Sequence, residues 1–477
     1  MDGRGPRLGT TARNRSLLMN APSVAPRPAV PRIATGPRGL PLIGVARDAR
    51  KDVLGFLMRT VAEHGPVVQY RFGPGRAYLV THPDGLKYVL QDNSKNYTKD
   101  HFSYSMVRRV VGDGLLTSQG ETWLKQRRLA QPAFHRARIA AMAEQMVRAT
   151  AEFSEHWAES QRTGAPRHAV RDMMALTLRI VGEALLGTDV RAETEVVSAA
   201  FNVVSEQTVE RFRTLRLIPP ILPTAYDRAY RRANHTLREV VARVIAKRRE
   251  HLEDRGDLLS MFMLARDEET GEQMDDAHLQ GEVLTMMIAG HETTATTLSW
   301  VWVLLEQNPE VERQLHAELE SVLGGRAPTA EDVPRLVYTR RVLDETLRLY
   351  PPVYILSRKV MEDDTVYGYQ VLAGSSLDMS PYVTHRLAEF WPDPERFDPD
   401  RFTPEKIAAR PRYAYFPFLG GPRQCIGNTF ALMEGTLILA TLAQRHRPRM
   451  VAGYTPKPEP LLTLRPASEL PVMITAR

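Results

Sequence analysis

The segment from about Asp276 to Gln307 constrains the fold most, because its helical pattern is apolar nearly all the way round. Asp275 and Asp276 can cap its start, and Pro309 follows its end. A helix without a polar face needs protein on every side, so this segment predicts a helix through the middle of a large core. A membrane span is the weaker interpretation, because His291 and Glu292 stand near the centre, where charge is costly in lipid.

The rest of the chain predicts one mainly helical domain with small β-sheets. Its 477 residues and 43% hydrophobic content suffice for a large core, and no repeat or linker divides them. Val67–Arg71 and Ala77–Thr81 predict a hairpin, and apolar positions recur at helical spacing over 142–157, 173–186, 237–245 and 311–323. Residues 1–36 are rich in Pro and Arg and predict a tail without fixed structure, so the domain is expected to span 37–477.

The charge and the cysteine content narrow the possible partners and compartment. The formal net charge is +7, but no run dense in Lys and Arg with interleaved aromatics occurs, so no nucleic acid partner is expected. The only apolar cluster of the tail, Leu17–Met19, is too short for a transmembrane anchor or a signal-peptide core. A single cysteine excludes an intrachain disulfide and fits a reducing compartment, which predicts a cytoplasmic protein.

That single cysteine lies in a glycine-rich loop, Phe418–Gly427, which opens a predicted helix. An isolated cysteine is ordinarily a small buried hydrophobe. Here, free N–H groups and the positive end of the helix favour the thiolate of Cys425, the form that binds a metal. Gly421 and Gly427 allow sharp turns and the close approach of a flat ligand, and Arg423 offers paired donors to a carboxylate.

The loop matches the pattern F-x-x-G-x-R-x-C-x-G at every fixed position, and in this the chain resembles the soluble, bacterial type of the cytochrome P-450 superfamily. The resemblance implies a single α-rich triangular domain that holds haem b, with Cys425 as the axial ligand of the iron. It also implies that the cofactor contacts the rest of the loop. The residues concerned are Phe418, Gly421, Arg423 and Gly427.

A second motif, Ala289–Thr294, interrupts the apolar central helix. Glycine there costs about 1 kcal/mol relative to alanine, and a buried acid and hydroxyls need partners, so these local penalties indicate a site. The six residues resemble the family signature A/G-G-x-D/E-T-T, which implies that Glu292 and Thr293 deliver protons to dioxygen while Ala289 and Gly290 lie beside the haem. The alternative is that the hydroxyls only bond back to the helix. A zinc-protease site is excluded because Ala295 stands where a second His is needed.

Further matches imply a structural cluster and ligands for the haem propionates. Glu345 and Arg348 share a helical face, and the resemblance joins them to Arg396, in Pro394–Phe397, beneath the haem. Trp123 and Arg127 resemble the family's W-x-x-x-R helix, which contacts a propionate. Arg358 stands where the family supplies another propionate ligand; the alternative is a solvated cation.

The activity implied is insertion of one oxygen atom from O2 into a hydrophobic small molecule, with electrons from NAD(P)H as indirect donor through ferredoxin and ferredoxin reductase. Two alternatives stay open: a peroxide-using or peroxide-rearranging haem-thiolate enzyme, and a haem-binding carrier or sensor. A basic cluster could dock the ferredoxin, namely Lys125, Arg127, Arg128, Arg136 and Arg138. The expected substrate lining comes from 101–116, 201–222, 287–289, 353–356 and the turn near Leu461.

Overall fold

The computed structural model describes residues 30–187, 225–267, 269–467 and 469–477, with 196, 199–200 and 203–204. Most of the predicted tail, residues 1–29, therefore lies outside the described residues. Two residues just before the predicted domain boundary at 37 also bond to the fold. The Arg32 N–H donates to the Gly368 carbonyl at 2.9 Å, and the Gln69 N–H donates to the Thr35 carbonyl at the same distance.

Helices make up most of the described chain. In chain order they are α1 Ala46–Lys51, α2 Val53–His64, α3 Pro83–Lys87, α4 Phe102–Val111, α5 Gly120–Ala130, α6 Arg136–Ala141, α7 Ala143–Thr163, α8 Ala169–Leu186, α9 Ala225–Glu250, α10 Leu258–Leu264, α11 Asp276–Gln307, α12 Pro309–Leu323, α13 Val337–Leu349, α14 Pro381–Thr384, α15 Pro404–Ala408 and α16 Asn428–Ala443. Short 3-10 turns include Pro399–Phe402 and Gly421–Arg423.

Twelve short strands are described. They are β1 Val67–Phe72, β2 Gly75–Val80, β3 Tyr97–Thr98, β4 Arg167–His168, β5 Leu356–Val360, β6 Asp364–Val366, β7 Tyr369–Val371, β8 Ser376–Met379, β9 His446–Met450, β10 Pro458–Pro460, β11 Leu464–Pro466 and β12 Pro471–Ala476. The largest sheet has the order β1-β2-β8-β5-β3, with the predicted hairpin β1–β2 at its edge. The prediction of a mainly α fold with small sheets is confirmed.

The central helix α11 runs through the largest hydrophobic core, as its apolar pattern predicted. It starts at Asp276 because the Asp275 side chain accepts the His278 N–H at 2.8 Å, and it ends where Asn308 precedes Pro309. Helix α8 packs along it, and the Trp300 ring stacks on Tyr350 with centroids 3.8 Å apart. Most side chains of α11 are buried, so an accessible stretch on this helix requires an explanation.

Among the described helices, none combines the length and the apolarity that a bilayer span requires.

Candidate active site

The loop around Cys425 is closed by its own backbone. The Cys425 N–H donates to the Phe418 carbonyl at 3.0 Å, and the Gln424 N–H donates to the Gly421 carbonyl at 3.1 Å. Gly421 is required because its φ is +65° and a Cβ there would lie 1.8 Å from the Leu90 carbonyl oxygen. At Gly427, by contrast, a Cβ would meet only the Phe134 ring, at 3.9 Å. No protein neighbour within the described chain therefore requires glycine at 427, which leaves this side of the loop open for a flat group.

The Cys425 thiol lies in a recess and not on the outer surface. Its side chain is accessible to solvent, yet surrounding protein atoms desolvate the sulfur, and this burial raises the pKa of the thiol. The Gly427 N–H, Arg127 and Lys99 act in the opposite direction. The sequence pointed only to free N–H groups and the helix end as influences that lower the pKa, whereas burial has the larger effect here. Coordination to a metal cation reverses this balance, because a coordinating thiol is deprotonated outright.

Four cations from four segments gather near the thiol. They are Lys99 after β3, Arg127 on α5, Arg358 on β5 and Arg423 in the loop itself. Their described hydrogen-bond acceptors are all uncharged: Lys99 Nζ donates to the Leu116 carbonyl at 2.8 Å and Arg358 Nη1 to the Tyr104 hydroxyl at 2.6 Å. No carboxylate in the described part of the chain pairs with any of the four.

The remaining contacts of these cations are also to neutral groups. Arg127 Nη1 donates to the Gln424 carbonyl at 2.9 Å, and Arg423 Nη1 donates to the Ser118 carbonyl at 3.0 Å. The Arg423 guanidinium lies 3.8 Å from the centre of the Trp123 ring, so Trp123 supports this cation through its π-face.

The four cations repel one another and are short of a counter-ion. Burial and then Arg358 and Arg423 push the pKa of Lys99 well below its ordinary value. Burial and then Arg358 lower the pKa of Arg423 to about 10. Arg358 is buried, and its Nη2 has no hydrogen-bond partner. Unpaired buried cations of this kind need an anionic ligand. Lys99 was missed by the sequence analysis, since nothing in its local sequence distinguishes it from a surface lysine.

The only accessible stretch in the middle of α11 carries Ala289 and Thr293, one helical turn apart. Ala289 is exposed and Thr293 is partly exposed, and the Thr293 hydroxyl donates to the Ala289 carbonyl at 2.7 Å. This bond is the helix back-bond that the alternative interpretation predicted, but it is formed on an open face. Gly290 has a packing reason of its own, because a Cβ there would lie 3.0 Å from Val181 Cγ2 on α8.

Glu292, in contrast to Thr293, is buried, and its carboxyl contacts the loop before β11. The Thr463 hydroxyl donates to its Oε1 at 2.8 Å. Burial raises the pKa of Glu292, while Thr463 and Arg465 act in the lowering direction. His291 is buried too, and burial lowers its pKa to about 3, so the ring is neutral at pH 7. Thr463 is a second residue that the sequence analysis missed.

Two more acids are buried beside the same helix. Glu282 lies on α11 two turns before Gly290, and burial raises its pKa to about 7. Glu434 on α16 is buried near Thr294 of α11, and burial raises its pKa to about 8. The sequence analysis singled out neither acid, although each stands inside an apolar helical stretch, which is the signal that could have found it.

The structural cluster forms around Glu345 and Arg348, but with a different third member from the one predicted. Arg348 Nε and Nη2 donate to the two Glu345 oxygens at 2.7 and 2.8 Å, and both side chains are fully buried. Arg401 Nε lies 3.4 Å from Glu345 Oε1, whereas Arg396 is exposed and only its carbonyl accepts from Arg348, at 3.1 Å. Two similar strings, 394–397 and 399–402, compete for this position, and the 3-10 turn Pro399–Phe402 directs the second towards Glu345.

The predicted basic docking cluster is largely neutralised. Lys125 pairs with Glu272, Arg128 with Asp267 at 2.9 Å, and Arg138 with Asp254 at 2.9 Å, while Arg127 turns inward to Gln424. Arg136 alone of the five is exposed without an ion pair among the described residues. These pairs remove most of the net positive charge that the docking hypothesis needed.

The predicted substrate lining is only partly described, because 201–222 lies outside the described residues except for Val203 and Val204. Val353 and Ile355 are partly exposed, and the Tyr354 hydroxyl donates to the Leu461 carbonyl at 3.2 Å, which joins two predicted lining segments. A separate surface cleft of about 950 Å³ is lined by charged residues such as Glu155, Arg445 and Arg477. It contains none of the predicted site residues and is too polar for an apolar substrate.

These features together define a class of protein. A single recessed thiol, an open loop side at Gly427 and four cations without a counter-ion fit a flat, dianionic, metal-containing ligand. No cluster of three or more metal-binding side chains occurs among the described residues, so the thiol is the candidate metal ligand. These are the features expected of the site of a haem-thiolate protein.

The comparisons with known proteins agree. The family model for cytochrome P450 matches residues 35–470. Cyclooctatin synthase of Streptomyces melanosporofaciens is 39% identical over 91% of this chain and 94% of its own length. Pentalenene oxygenase of Streptomyces avermitilis is 33% identical over 93% and 97%. The crystal structure of the cytochrome P450DA haem domain superimposes with a TM-score of 0.83 at 28% identity, covering 94% of this chain and 98% of that one.

This chain belongs to the cytochrome P450 family and is a haem-thiolate monooxygenase.

Proposed function

We propose that this monooxygenase hydroxylates a hydrophobic small molecule of the terpene class, with electrons that NAD(P)H supplies through a ferredoxin and its reductase. Three relatives support the substrate class by their names, cyclooctatin synthase, cyclooctat-9-en-7-ol 5-monooxygenase and pentalenene oxygenase. The described parts of the predicted lining are mostly apolar, which suits a hydrocarbon skeleton.

The residues divide into a cofactor-binding set and a proton-delivery set. Haem, when bound through Cys425, supplies the iron that activates dioxygen. The propionates would be held by the four cations and Trp123. The side chains concerned are Lys99, Trp123, Arg127, Arg358 and Arg423. Phe418, Gly421 and Gly427 shape the loop around the thiolate.

The observation that carries the proposal is the open face of α11. A hydroxyl on an otherwise buried helix, at Thr293, can hold a proton at the accessible side. Glu292, the preceding residue, is a buried acid, and burial raises its pKa, so it keeps a proton to higher pH than an exposed carboxyl does. Thr463 fixes the position of this carboxyl by its 2.8 Å hydrogen bond.

The test is the coupling of electron consumption to product. Thr293→Ala should keep its haem content and its substrate-induced spectral shift, but it should divert electrons to peroxide and water, because the hydroxyl that passes on the proton is lost. Product formed per NAD(P)H consumed is measured with a surrogate ferredoxin and reductase, on a terpene hydrocarbon that gives a binding spectrum. We expect a loss of at least tenfold. Thr293→Ser should restore coupling.

A matched control lies one turn further along α11. The Thr297 hydroxyl also bonds back to its own helix, donating to the Thr293 carbonyl at 2.9 Å, but Thr297 is buried. Thr297→Ala should therefore leave coupling unchanged. Unchanged coupling in both Thr293→Ala and Glu292→Gln, together with turnover driven by hydrogen peroxide alone, would support a peroxide-using enzyme. Haem binding without turnover under any of these conditions would support a carrier or sensor.

A further inference from the structure

An apolar tip protrudes where the turn at 40–44 meets the end of the β1–β2 hairpin. Its large side chains are strongly exposed, with Leu42 at 89%, Leu40 at 47%, Ile43 at 44% and Phe72 at 38%. Single exposed hydrophobic residues are ordinary, but a contiguous group of them marks an interaction site.

The backbone holds this tip in a fixed shape. Leu40 and Gly44 exchange two hydrogen bonds of 2.8 and 2.9 Å, and the Gly73 N–H donates to the Ile43 carbonyl at 3.0 Å. Leu42 occupies the left-handed region at φ 65°, which is unfavourable for a residue with a side chain. The chain thus keeps a strained and almost fully exposed leucine at the most prominent point of the turn.

Unpaired cations flank the tip along the chain. In the described chain, none of the six exposed basic residues within or next to these two turns has an ion-pair partner, and Asp48 is the one acid among them. Arg71 and Arg76 even stand directly opposite each other across the hairpin, a like-charge pair that destabilises a sheet. The six cations are Arg38, Arg47, Arg50, Lys51, Arg71 and Arg76.

We propose that this tip docks the protein on the surface of an anionic lipid bilayer, with Leu40, Leu42, Ile43 and Phe72 inserted among the acyl chains and the cations at the headgroups. The composition favours lipid over a protein partner, because the four exposed apolar side chains are mainly aliphatic and include neither Trp nor Tyr, in which protein interfaces concentrate energy. The unneutralised cations specify a negative surface. The proposal is independent of the substrate class.

The experiment is co-sedimentation of the full-length holoprotein with vesicles at low ionic strength. Vesicles of phosphatidylcholine with 30% phosphatidylglycerol are compared with vesicles of phosphatidylcholine alone. We expect binding to the first and at least tenfold weaker binding to the second, because each cation near an anionic surface contributes roughly fivefold in the partition coefficient.

Two variants separate the two parts of the proposed contact. Leu42→Ser with Ile43→Ser should weaken binding at least about tenfold, and Arg71→Gln with Arg76→Gln should weaken binding to the anionic vesicles alone. Ile407→Ser, at an exposed isoleucine on α15, and Arg162→Gln, at an exposed arginine on α7, are the matched controls and should bind like wild type. An unchanged ferrous carbonyl spectrum verifies that each variant is folded.

Three results would overturn the proposal. Wild-type protein that does not sediment with anionic vesicles would assign the tip to a protein partner instead. Equal binding of the Leu42/Ile43 double variant would assign the binding to another part of the chain, including residues 1–29. Equal loss in the controls would show a general charge or hydrophobicity effect.

Discussion

Replacing Arg348 by methionine tests the contribution of the buried cluster of Glu345, Arg348 and Arg401 to stability. The guanidinium donates five hydrogen bonds, two to Glu345 and three to the carbonyls of His385, Pro394 and Arg396, at 2.7 to 3.1 Å. Methionine fills a similar volume but donates none of them. Glu345 would keep only the Asp398 N–H at 2.9 Å and Arg401 at 3.4 Å.

These contacts allow an estimate of how much Arg348→Met lowers the free energy of unfolding. Breaking a buried ion pair costs about 3–5 kcal/mol, and the three carbonyls left without a donor add to it. The electrostatic contribution to this free-energy cost has an upper limit, because Glu345 can take up a proton instead of staying charged. Protonating a carboxyl of ordinary pKa about 4.3 at pH 7 costs roughly 3.7 kcal/mol. We therefore expect Arg348→Met to lose about 4–6 kcal/mol, a large share of a typical margin of about 5–15 kcal/mol.

The pH dependence distinguishes this mechanism from a packing defect. In the wild type, burial raises the pKa of Glu345 and Arg348 lowers it, so removing Arg348 raises it further. A carboxyl with a raised folded-state pKa contributes stability that is present below its unfolded pKa and lost as pH rises through its folded pKa. The loss of unfolding free energy in Arg348→Met should therefore become smaller by up to about 2 kcal/mol when the pH is lowered from 7 to 5.5.

Urea unfolding of both proteins at the two pH values measures these quantities. Arg313→Met is the matched control, because Glu310 and Arg313 form an exposed pair with the same i,i+3 spacing, and it should change stability by no more than about 0.5 kcal/mol. A deficit under about 1 kcal/mol, or one that does not vary with pH, would refute the argument. Glu345→Gln added to Arg348→Met should recover part of the loss, because the uncompensated charge is then gone.

Three further predictions concern the site. Cys425→Ala should abolish the thiolate-type band of the ferrous carbonyl complex, and its retention would exclude Cys425 as the axial ligand. Thr463→Val removes the hydroxyl that lowers the pKa of Glu292, so the acid limb of the pH profile of coupling should move upward while haem content stays constant, and Thr463→Ser should reverse this shift. Glu434→Gln should raise the melting temperature, and more at pH 7.5 than at pH 5, because the wild-type carboxyl, with its pKa raised to about 8, has to be protonated in the fold across this range; an equal or lower melting temperature would contradict the burial argument.

The features that could be predicted from the sequence are those determined by residues within one continuous segment. The central helix was readable because an apolar run of this length leaves no solvent-facing side, and its cap and its stop are local residues as well. The loop around Cys425 could be predicted for the same reason, since the backbone hydrogen bond that closes it joins Cys425 to Phe418, only a few residues away. The hydrogen bond between Arg32 and Gly368 was not predicted, because only the folded chain brings these two residues near each other.

Residues that act through distant contacts could not be found in this way. Lys99 meets Arg358 and Arg423 only after three segments pack together, and Thr463 reaches Glu292 across more than a hundred residues. The exchange of Arg396 for Arg401 has a different cause. Two nearly identical Pro-x-Arg-Phe strings follow one another, and the choice between them depends on a backbone turn that neither string encodes alone.

The four cations at the thiol connect stability to ligand binding. Each comes from a separate segment, so folding brings together Lys99, Arg127, Arg358 and Arg423 against their mutual repulsion, as the lowered pKa values of Lys99 and Arg423 indicate. An anion that binds only the folded chain offsets this repulsion and adds RT ln(1 + [L]/Kd) to stability. A neutral ligand of the same shape would leave the repulsion in place. We therefore expect the carboxylates of the bound cofactor to act as structural links among these four segments as well as anchors.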